Sequence, residues 1–559
     1  MRRAAWLWLP VLAAAIVACG STAGNEPKER PGDSSGGSGG GTVSGSGGNG
    51  NAIGSGGAAH FDLACSAPKL GSPVLRLLTS SEFSNTINDV FPAVAKTWTN
   101  TLPANTVSAY GFANDSSTVV GAQLAQALLD TATSVATAVT GSALSSLLPC
   151  ASSGANRACA DTFVTQYGRR LFRRALSTAE HDRYLSFFDS ALAKSDFNTA
   201  LKWVTVGLIQ SPNAVYRSEI GAPSADGTRS LSATELATEF AYTFTGTTPS
   251  NELLTQAESG APMDAGLAAQ LLATDAGKLT VQQFFEAYTA YPQVASVERT
   301  NVANFAALRN DMVQETRAFI NDVVLKNKGG LKELLTATTT NPSRSLASYY
   351  GFPAPATDYA TVTRSDGRGI GLLAQGSILA SRALPTSSSP TRRGLLVFSR
   401  LLCETKKDPP PDVPPPPQPA PGVVTTRQRY EEQHAAGGKC KGCHQLFDPI
   451  GFGFEQFDEG GAYRAMDGTL PINTVSNVPN PDATPMFQFQ DQETLVLGLA
   501  EQETVYQCFA AYLATYAFGT ADSCLGSSRV PEFKAGTLKI TDYFAALAAE
   551  PHFTKRASQ

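Results

Sequence analysis

The sequence predicts a mainly α-helical protein made of several helical modules in series. Capping-box sequences begin at Thr79, Ser177 and Ser232, and apolar residues follow each of them at helical spacing. A longer apolar stripe runs from Phe305 to Val323 with the same period. Strand patterns are sparse, and strands do not alternate with helices as they do in βαβ folds, so a parallel-sheet architecture is disfavoured.

The N-terminus is typical of a bacterial lipoprotein signal peptide, which we predict over residues 1–19. Arg2 and Arg3 precede an apolar run from Ala4 to Ala18 that is too short to span a bilayer. Ile16–Cys19 resembles a lipobox, in which Cys19 becomes the lipidated first residue of the mature chain. Gly20 after the cysteine favours the outer membrane. The alternative is an ordinary secretion signal in which Cys19 carries no lipid.

Composition changes divide the rest of the chain. Residues 20–59 are rich in Gly and Ser and predict a flexible tether. We expect N-terminal helical modules over 60–225 and a central helical module over 226–345. A mixed module follows over 346–423 and ends in a Pro-rich spacer, and a CxxCH module with C-terminal helices occupies 424–559. The formal net charge is −5, and no basic stripe is interleaved with aromatics, so nucleic acid is not expected as a partner.

Cys440, Cys443 and His444 form a CxxCH sequence, the attachment pattern of haem c. The two thiols would bond to the haem vinyl groups, and His444 would be the proximal iron ligand. The pattern therefore predicts a cytochrome-c-like helical module with haem c as cofactor. Two other uses of the cysteines stay open. A structural zinc site would need further ligands, and a disulfide or redox CxxC would need none.

A methionine is the expected sixth iron ligand. Met486 precedes Phe487 in a Pro-rich segment, which we predict to be a loop, just before a later helix that starts near Asp491. Met466 is the second candidate. A thioether ligand would raise the reduction potential relative to a second histidine. The structural alternative is that Met486 only packs on Phe489.

Other side chains in the same module are weaker candidates. Asp448, Glu455, Asp458 and Glu459 could bind calcium or act as acid and base, although carboxylates in such Gly-rich loops more often cap turns. Arg392 and Arg393 are candidates to face haem propionates. The HExxH and GxxxxGK[ST] patterns are absent, GxSxG occurs only inside the Gly/Ser-rich tether, and we assign no catalytic residue.

The nine cysteines include six that are assigned neither to lipid nor to haem. An even remainder in an exported chain predicts disulfides. Proximity in sequence favours Cys150–Cys159 and Cys508–Cys524, which leaves Cys65 to pair with Cys403.

Several segments together resemble a planctomycete-type multi-module family of unknown function, whose members carry a cytochrome-c-like motif near the C-terminus. The resemblance spans about residues 65–550. It implies a fixed order of modules and a cell-envelope setting, but no reaction. The segments that carry it are Leu75–Thr79, Asn85–Asp89, Tyr167–Leu176, Gln210–Pro212, Tyr216–Glu219, Glu235–Ala237, Ser389–Gly394, Leu401–Cys403, Cys440–His444 and Asp448–Phe452.

Together these patterns predict an exported, lipid-anchored haem protein of the cell envelope. We expect it to transfer single electrons to or from an unidentified partner protein, with membrane attachment through Cys19. The alternative is a non-redox surface lipoprotein that binds or processes extracellular polymers and whose CxxCH is structural. The sequence does not decide whether the protein is an enzyme.

Overall fold

The computed structural model describes residues 61–65, 67–114, 119–364, 367–405, 424–435 and 440–558, which all belong to one compact unit. The signal sequence, Cys19, the Gly/Ser-rich tether and the Pro-rich spacer lie outside the described residues. Helices dominate and the strands are few and short, which confirms the predicted mainly α class with several helical modules. Within the described part of the chain, no helix is long and apolar enough to cross a membrane.

The N-terminal helices enclose a core of their own. Helices α2 and α6 both pack on α7, and the first and last strands of the region pair antiparallel, with Val74 opposite Glu219. The elements are β1 (Val74–Leu77), α1 (Ser80–Val90), α2 (Ala122–Val139), α3 (Leu144–Leu147), α4 (Cys150–Ser153), α5 (Arg157–Phe172), α6 (Thr178–Leu192), α7 (Phe197–Gln210), α8 (Pro212–Val215) and β2 (Tyr216–Glu219).

The central elements contribute to a second, larger core, in which the predicted stripe from Phe305 to Val323 is buried. The stripe runs along α13 and continues through a turn of π-helix at Asn321–Lys326. The elements are β3 (Ala222–Pro223), β4 (Arg229–Ser230), α9 (Ala233–Thr245), α10 (Asn251–Glu258), α11 (Ala265–Ala273), α12 (Asp275–Thr289), α13 (Phe305–Ile320), α14 (Leu331–Thr336), β5 (Thr339–Thr340), α15 (Arg344–Tyr350) and β6 (Val362–Thr363).

The C-terminal elements complete that larger core. Helix α21 is buried on almost every side, as expected for a helix with little polar surface. The elements are α16 (Gly376–Ser381), α17 (Pro390–Arg400), α18 (Thr426–Ala435), α19 (Lys441–Phe452), β7 (Met466–Asp467), β8 (Leu470–Pro471), β9 (Ser476–Pro479), β10 (Pro485–Phe489), α20 (Gln492–Glu501), α21 (Glu503–Phe518), α22 (Val530–Lys534), α23 (Ile540–Ala546) and β11 (Lys555–Arg556).

The three predicted capping boxes are all formed, at the starts of α1, α6 and α9. In the first, the Glu82 backbone N–H donates to Thr79 Oγ1 at 3.1 Å, and the Thr79 N–H donates to Glu82 Oε2 at 2.8 Å. Each box pairs N–H groups that a helix start leaves without backbone partners. These helix starts are therefore determined locally.

A buried group of charges joins β1, β2, α9 and β11. Arg76 donates from Nε and Nη2 to the two carboxylate oxygens of Glu219, at 2.7 and 3.0 Å, and Arg556 Nη2 donates to Glu219 Oε2 at 2.7 Å. Burial opposes ionisation of Glu219, but the arginines outweigh it and hold the Glu219 pKa well below its usual range. Burial, reinforced by the Glu219 charge, raises the pKa of Glu239.

Of the three predicted disulfides, Cys150–Cys159 is confirmed. The other two pairings are wrong: Cys508 bonds to Cys403, and Cys524 bonds to Cys65. Cys508 lies in α21, ten residues before its last residue Phe518, so the helix rise places it about 15 Å from that end. A disulfide needs Cα atoms within about 7 Å. Nearness in sequence is therefore a poor guide to pairing when a rigid helix separates one cysteine from the other.

Candidate functional site at the CxxCH helix

The CxxCH residues occupy the start of α19. Cys440 precedes the helix, and the N–H groups of Cys443 and His444 both donate to its carbonyl, at 3.2 and 3.1 Å. One helical turn thus brings together the three residues that the sequence predicts to bind haem. Both cysteines are partly exposed thiols and are not bonded to each other, whereas the other six cysteines of the described residues form disulfides.

Helix α17 crosses α19 at very short range, and one glycine on each helix permits it. A β-carbon on Gly394 would lie 1.9 Å from the carbonyl oxygen of Phe447, and one on Gly451 would lie 2.0 Å from that of Pro390. These separations are far below van der Waals contact, so each glycine is required for this packing. The crossing places the first turn of α17 against the middle of α19.

His444 is held by a carboxylate one turn further along α19. Its Nδ1 lies 3.0 Å from Asp448 Oδ2, and Thr391 of α17 donates its hydroxyl to Asp448 Oδ1 at 2.6 Å. The Asp448 side chain is 7% exposed and that of His444 24%. Sequence reasoning missed the role of Thr391, because its contact with Asp448 joins two helices that are distant in sequence and no local pattern signals it.

Met486 lies in strand β10 rather than in the loop that the sequence predicted. Strand β10 pairs with β9, and β9 packs along α19. Pro485 and Phe487 face adjacent residues of β9, so Met486 is the additional residue of a β-bulge, a feature that redirects a side chain. Met486 is half-buried against the larger core, whereas Met466 in β7 is 45% exposed.

Arg393 has a structural role in place of the predicted contact with a propionate. Its buried guanidinium donates to four backbone carbonyls, those of Leu379, Phe454, Phe457 and Asp458. Burial lowers the pKa of Arg393 to about 10. Arg392 donates to the carbonyl of Ala383 at 2.9 Å. Both arginines therefore bind backbone carbonyls.

The acidic residues behind the motif act mainly as structural acceptors. Asp458 Oδ1 accepts the N–H groups of Gly460 and Ala462, at 2.8 and 2.9 Å, and so caps a turn. Glu455 accepts the Ser388 hydroxyl at 2.8 Å, and burial raises its pKa. No group of three or more His, Cys, Asp or Glu side chains in the described ranges is arranged to hold a metal ion.

The donors at the start of α19 suit covalent attachment of haem c. Two thiols three positions apart can form two thioethers, and a histidine whose Nδ1 is held by a carboxylate presents Nε2 as the iron-binding nitrogen. Cys443 also packs against the larger core, so this thiol would be a fixed attachment point for such a group.

Four family models match the chain in series. They are "Protein of unknown function (DUF1587)" at residues 76–141, "Protein of unknown function (DUF1595)" at 159–219, "Protein of unknown function (DUF1592)" at 231–352 and "Protein of unknown function (DUF1588)" at 368–467. The last of them, also named PSCyt3, contains the α17–α19 crossing and the CxxCH residues. No curated protein and no solved structure matches the chain. Between residues 76 and 467, the chain therefore carries four modules in series of planctomycete-type multi-module families of unknown function.

Proposed function

We propose that the protein is an envelope-anchored c-type haem protein that transfers single electrons to or from a partner protein. One observation carries the proposal. In a chain whose other described cysteines form disulfides, Cys440 and Cys443 stay as thiols directly before a histidine that is held by a carboxylate. Cysteines of exported proteins usually form disulfides, so two free cysteines indicate a different role. Because a histidine follows Cys443, we propose that this role is haem attachment.

Each of these residues has a specific role in binding haem. Cys440 and Cys443 supply the thioether sulfurs, His444 supplies Nε2, and Asp448 orients the ring of His444. When bound, haem supplies a one-electron couple. We propose Met486 as the sixth ligand and Met466 as the second choice, because a thioether suits electron transfer better than an open position does.

The anchor belongs to the same proposal. Lipidated Cys19 would hold the chain at the cell envelope, most naturally at the outer membrane, and residues 20–59 would separate the folded unit from the membrane. The redox partner would then reach the CxxCH helix from outside the membrane.

Haem staining of the full chain, expressed with c-type maturation and separated on a denaturing gel, tests the cofactor. We expect a stained band and a c-type absorption spectrum. Changing both Cys440 and Cys443 to Ser should abolish the stain, whereas Lys441→Ala, an exposed change inside the same motif, should leave it intact. An unstained parent protein would reject the haem function in favour of the non-redox surface lipoprotein with a structural CxxCH.

The sixth ligand is tested in the stained protein. Met486→Ala should remove the methionine-to-iron charge-transfer band and lower the reduction potential. Met466→Ala is the matched control and should change neither. Loss of the band in the Met466 variant alone would transfer the assignment to Met466, and absence of the band from the parent would rule out both methionines.

A further inference from the structure

We infer that Asp448 and Thr391 are positioning residues that hold His444 in its Nδ1–H tautomer and bias the iron centre toward its oxidised state. The redox half of this inference rests on the function proposed above. The orientation half rests on the protein alone. Together the two halves predict a haem whose reduction potential is lowered by Asp448, which suits a protein that donates electrons.

The hydrogen-bond pattern determines the tautomer. An ionised carboxylate can only accept hydrogen bonds, so the contact between His444 Nδ1 and Asp448 Oδ2 at 3.0 Å requires the proton on Nδ1. The other oxygen of Asp448 is engaged by the Thr391 hydroxyl at 2.6 Å. With both of its oxygens bonded, the carboxylate has a defined orientation, and Nε2 is the nitrogen directed to a ligand.

Two helices build this arrangement jointly. His444 and Asp448 are one turn apart on α19, where side chains at i and i+4 are neighbours. Thr391 comes from α17, and the crossing at Gly394 and Gly451 brings its first turn within hydrogen-bond range of α19. Without the close crossing, Asp448 could still contact His444 but would lose the hydrogen bond from the Thr391 hydroxyl. Thr391 is therefore a second determinant of how the imidazole is oriented.

The expected effect on a metal follows from the carboxylate charge. A carboxylate on the far nitrogen of a ligating histidine makes the ring a stronger donor, which favours the higher oxidation state of the metal. Asp448 is almost fully buried, so water screens its charge only weakly. A tenfold shift in a one-electron equilibrium corresponds to about 59 mV.

Imidazole nitrogen NMR of the haem-free full chain tests the orientation half. With isotope-labelled histidine in alkaline buffer, His444 should give the Nδ1–H tautomer, its signal being assigned by its loss in His444→Gln. Asp448→Asn and Thr391→Val should both reduce the fraction of that tautomer, and Thr391→Ser, which keeps the hydroxyl, should restore it. An Nε2–H tautomer in the parent, or no change in Asp448→Asn, would overturn the inference.

The reduction potential of the haem-loaded full chain tests the redox half. Asp448→Asn should keep the covalent haem and raise the potential by about 59 mV or more, and Thr391→Val should raise it less. Asp161→Asn is the matched control, because His181 Nε2 lies 2.7 Å from Asp161 Oδ1 in a second His–Asp pair between α5 and α6, which has no CxxCH. That variant should leave the potential unchanged.

The two failures can be told apart. A haem-loaded Asp448→Asn protein with the potential of the parent would overturn the redox half while the proposed cofactor stands. A parent chain that binds no haem would reject the proposed function and the redox half together, and the tautomer measurement would still decide the orientation half. Should Asp448→Asn not fold, Thr391→Val and Thr391→Ser decide both halves.

Discussion

Gly394 and Gly451 face each other where α17 crosses α19, and at each of them the opposite helix places a backbone carbonyl in the space that a β-carbon would need. Two glycines on facing helices allow a closer approach than side-chain packing permits. The CxxCH residues lie at one end of this crossing, and Arg393 lies beside Gly394. The separation of the two helices therefore controls the whole site.

Gly394→Ala and Gly451→Ala should each lower the free energy of unfolding by about 2–3 kcal/mol, despite the better helix propensity of alanine. Urea denaturation measures the effect. Gly442→Ala is the control, because a β-carbon there meets no atom within 4 Å, and it should be as stable as the parent or slightly more stable. Parent-like stability of both crossing variants would show that the helices can separate without cost.

Arg393→Lys should destabilise the protein by about 3 kcal/mol although it keeps the positive charge. A single ammonium cannot donate to the four carbonyls that the guanidinium binds, and buried acceptors would lose their partners. Thermal unfolding compares it with Arg392→Lys, which has one carbonyl partner to lose and should cost about 1 kcal/mol. Equal losses of stability in the two variants would contradict the importance of the four carbonyl contacts of Arg393.

Peptide mapping without reduction should recover Cys65–Cys524, Cys150–Cys159 and Cys403–Cys508, with Cys440 and Cys443 in none of them. Replacing Cys403 and Cys508 together by Ser removes a link between residues 105 apart and should cost about 4 kcal/mol in the chain-entropy description. The same replacement at Cys150 and Cys159, only 9 apart, should cost less. A peptide that joins Cys508 to Cys524 would contradict the fold around α21.

Glu239→Gln should stabilise the protein at neutral pH, on the order of 1 kcal/mol. The pKa of Glu239 is raised in the folded state, so folding favours the protonated carboxyl. Its contribution therefore becomes less favourable as pH rises from the unfolded-state pKa toward the folded-state pKa, and it is constant above both. Glutamine resembles the protonated form and should flatten this part of the pH profile of stability.

Glu219→Gln is the opposite case in the same buried group. The Glu219 pKa is lowered, so its stabilising contribution is present above the unfolded-state pKa and is lost as pH falls through the folded-state value. Removing the charge leaves Arg76 and Arg556 without their common carboxylate and should cost about 3–5 kcal/mol at neutral pH. Chemical denaturation across a pH series should give the two variants changes of opposite sign.

Cys19→Ser should move the protein from the membrane fraction to the soluble fraction of the cell envelope, because the lipid is the proposed anchor. Immunoblots of fractionated cells measure the distribution. Ser21→Ala, two residues further along, keeps the cysteine and should remain with membranes. If the Cys19→Ser protein stayed with the membranes, a lipid on Cys19 would not be the anchor.

Local patterns predicted the helix starts well. Thr79, Ser177 and Ser232 form their capping boxes because each box is closed within four residues. Cys150–Cys159 was predictable for the same reason, since its loop is short. The resemblance to a multi-module family was also readable from the sequence, and four modules in series are found.

Contacts between distant segments were not predictable in this way. Thr391 contacts Asp448 only because α17 and α19 cross, and the need for glycine at 394 and 451 follows from that crossing. The same holds for Cys403 and Cys508, which come together because α21 lies in the larger core. Met486 was predicted to lie in a loop because the segment around it contains several prolines, which are uncommon in strands. The segment nevertheless forms a strand because it pairs with β9.

The two long-range disulfides also determine what a protease could release. Residues 406–423, with their run of prolines, lie between Cys403 and Cys508, and between Cys65 and Cys524. A single backbone cut in that segment would yield two fragments that stay linked by both disulfides. The CxxCH helix could then separate from the N-terminal fragment only after reduction, so a nicked chain would run as one species on a non-reducing gel and as two after reduction.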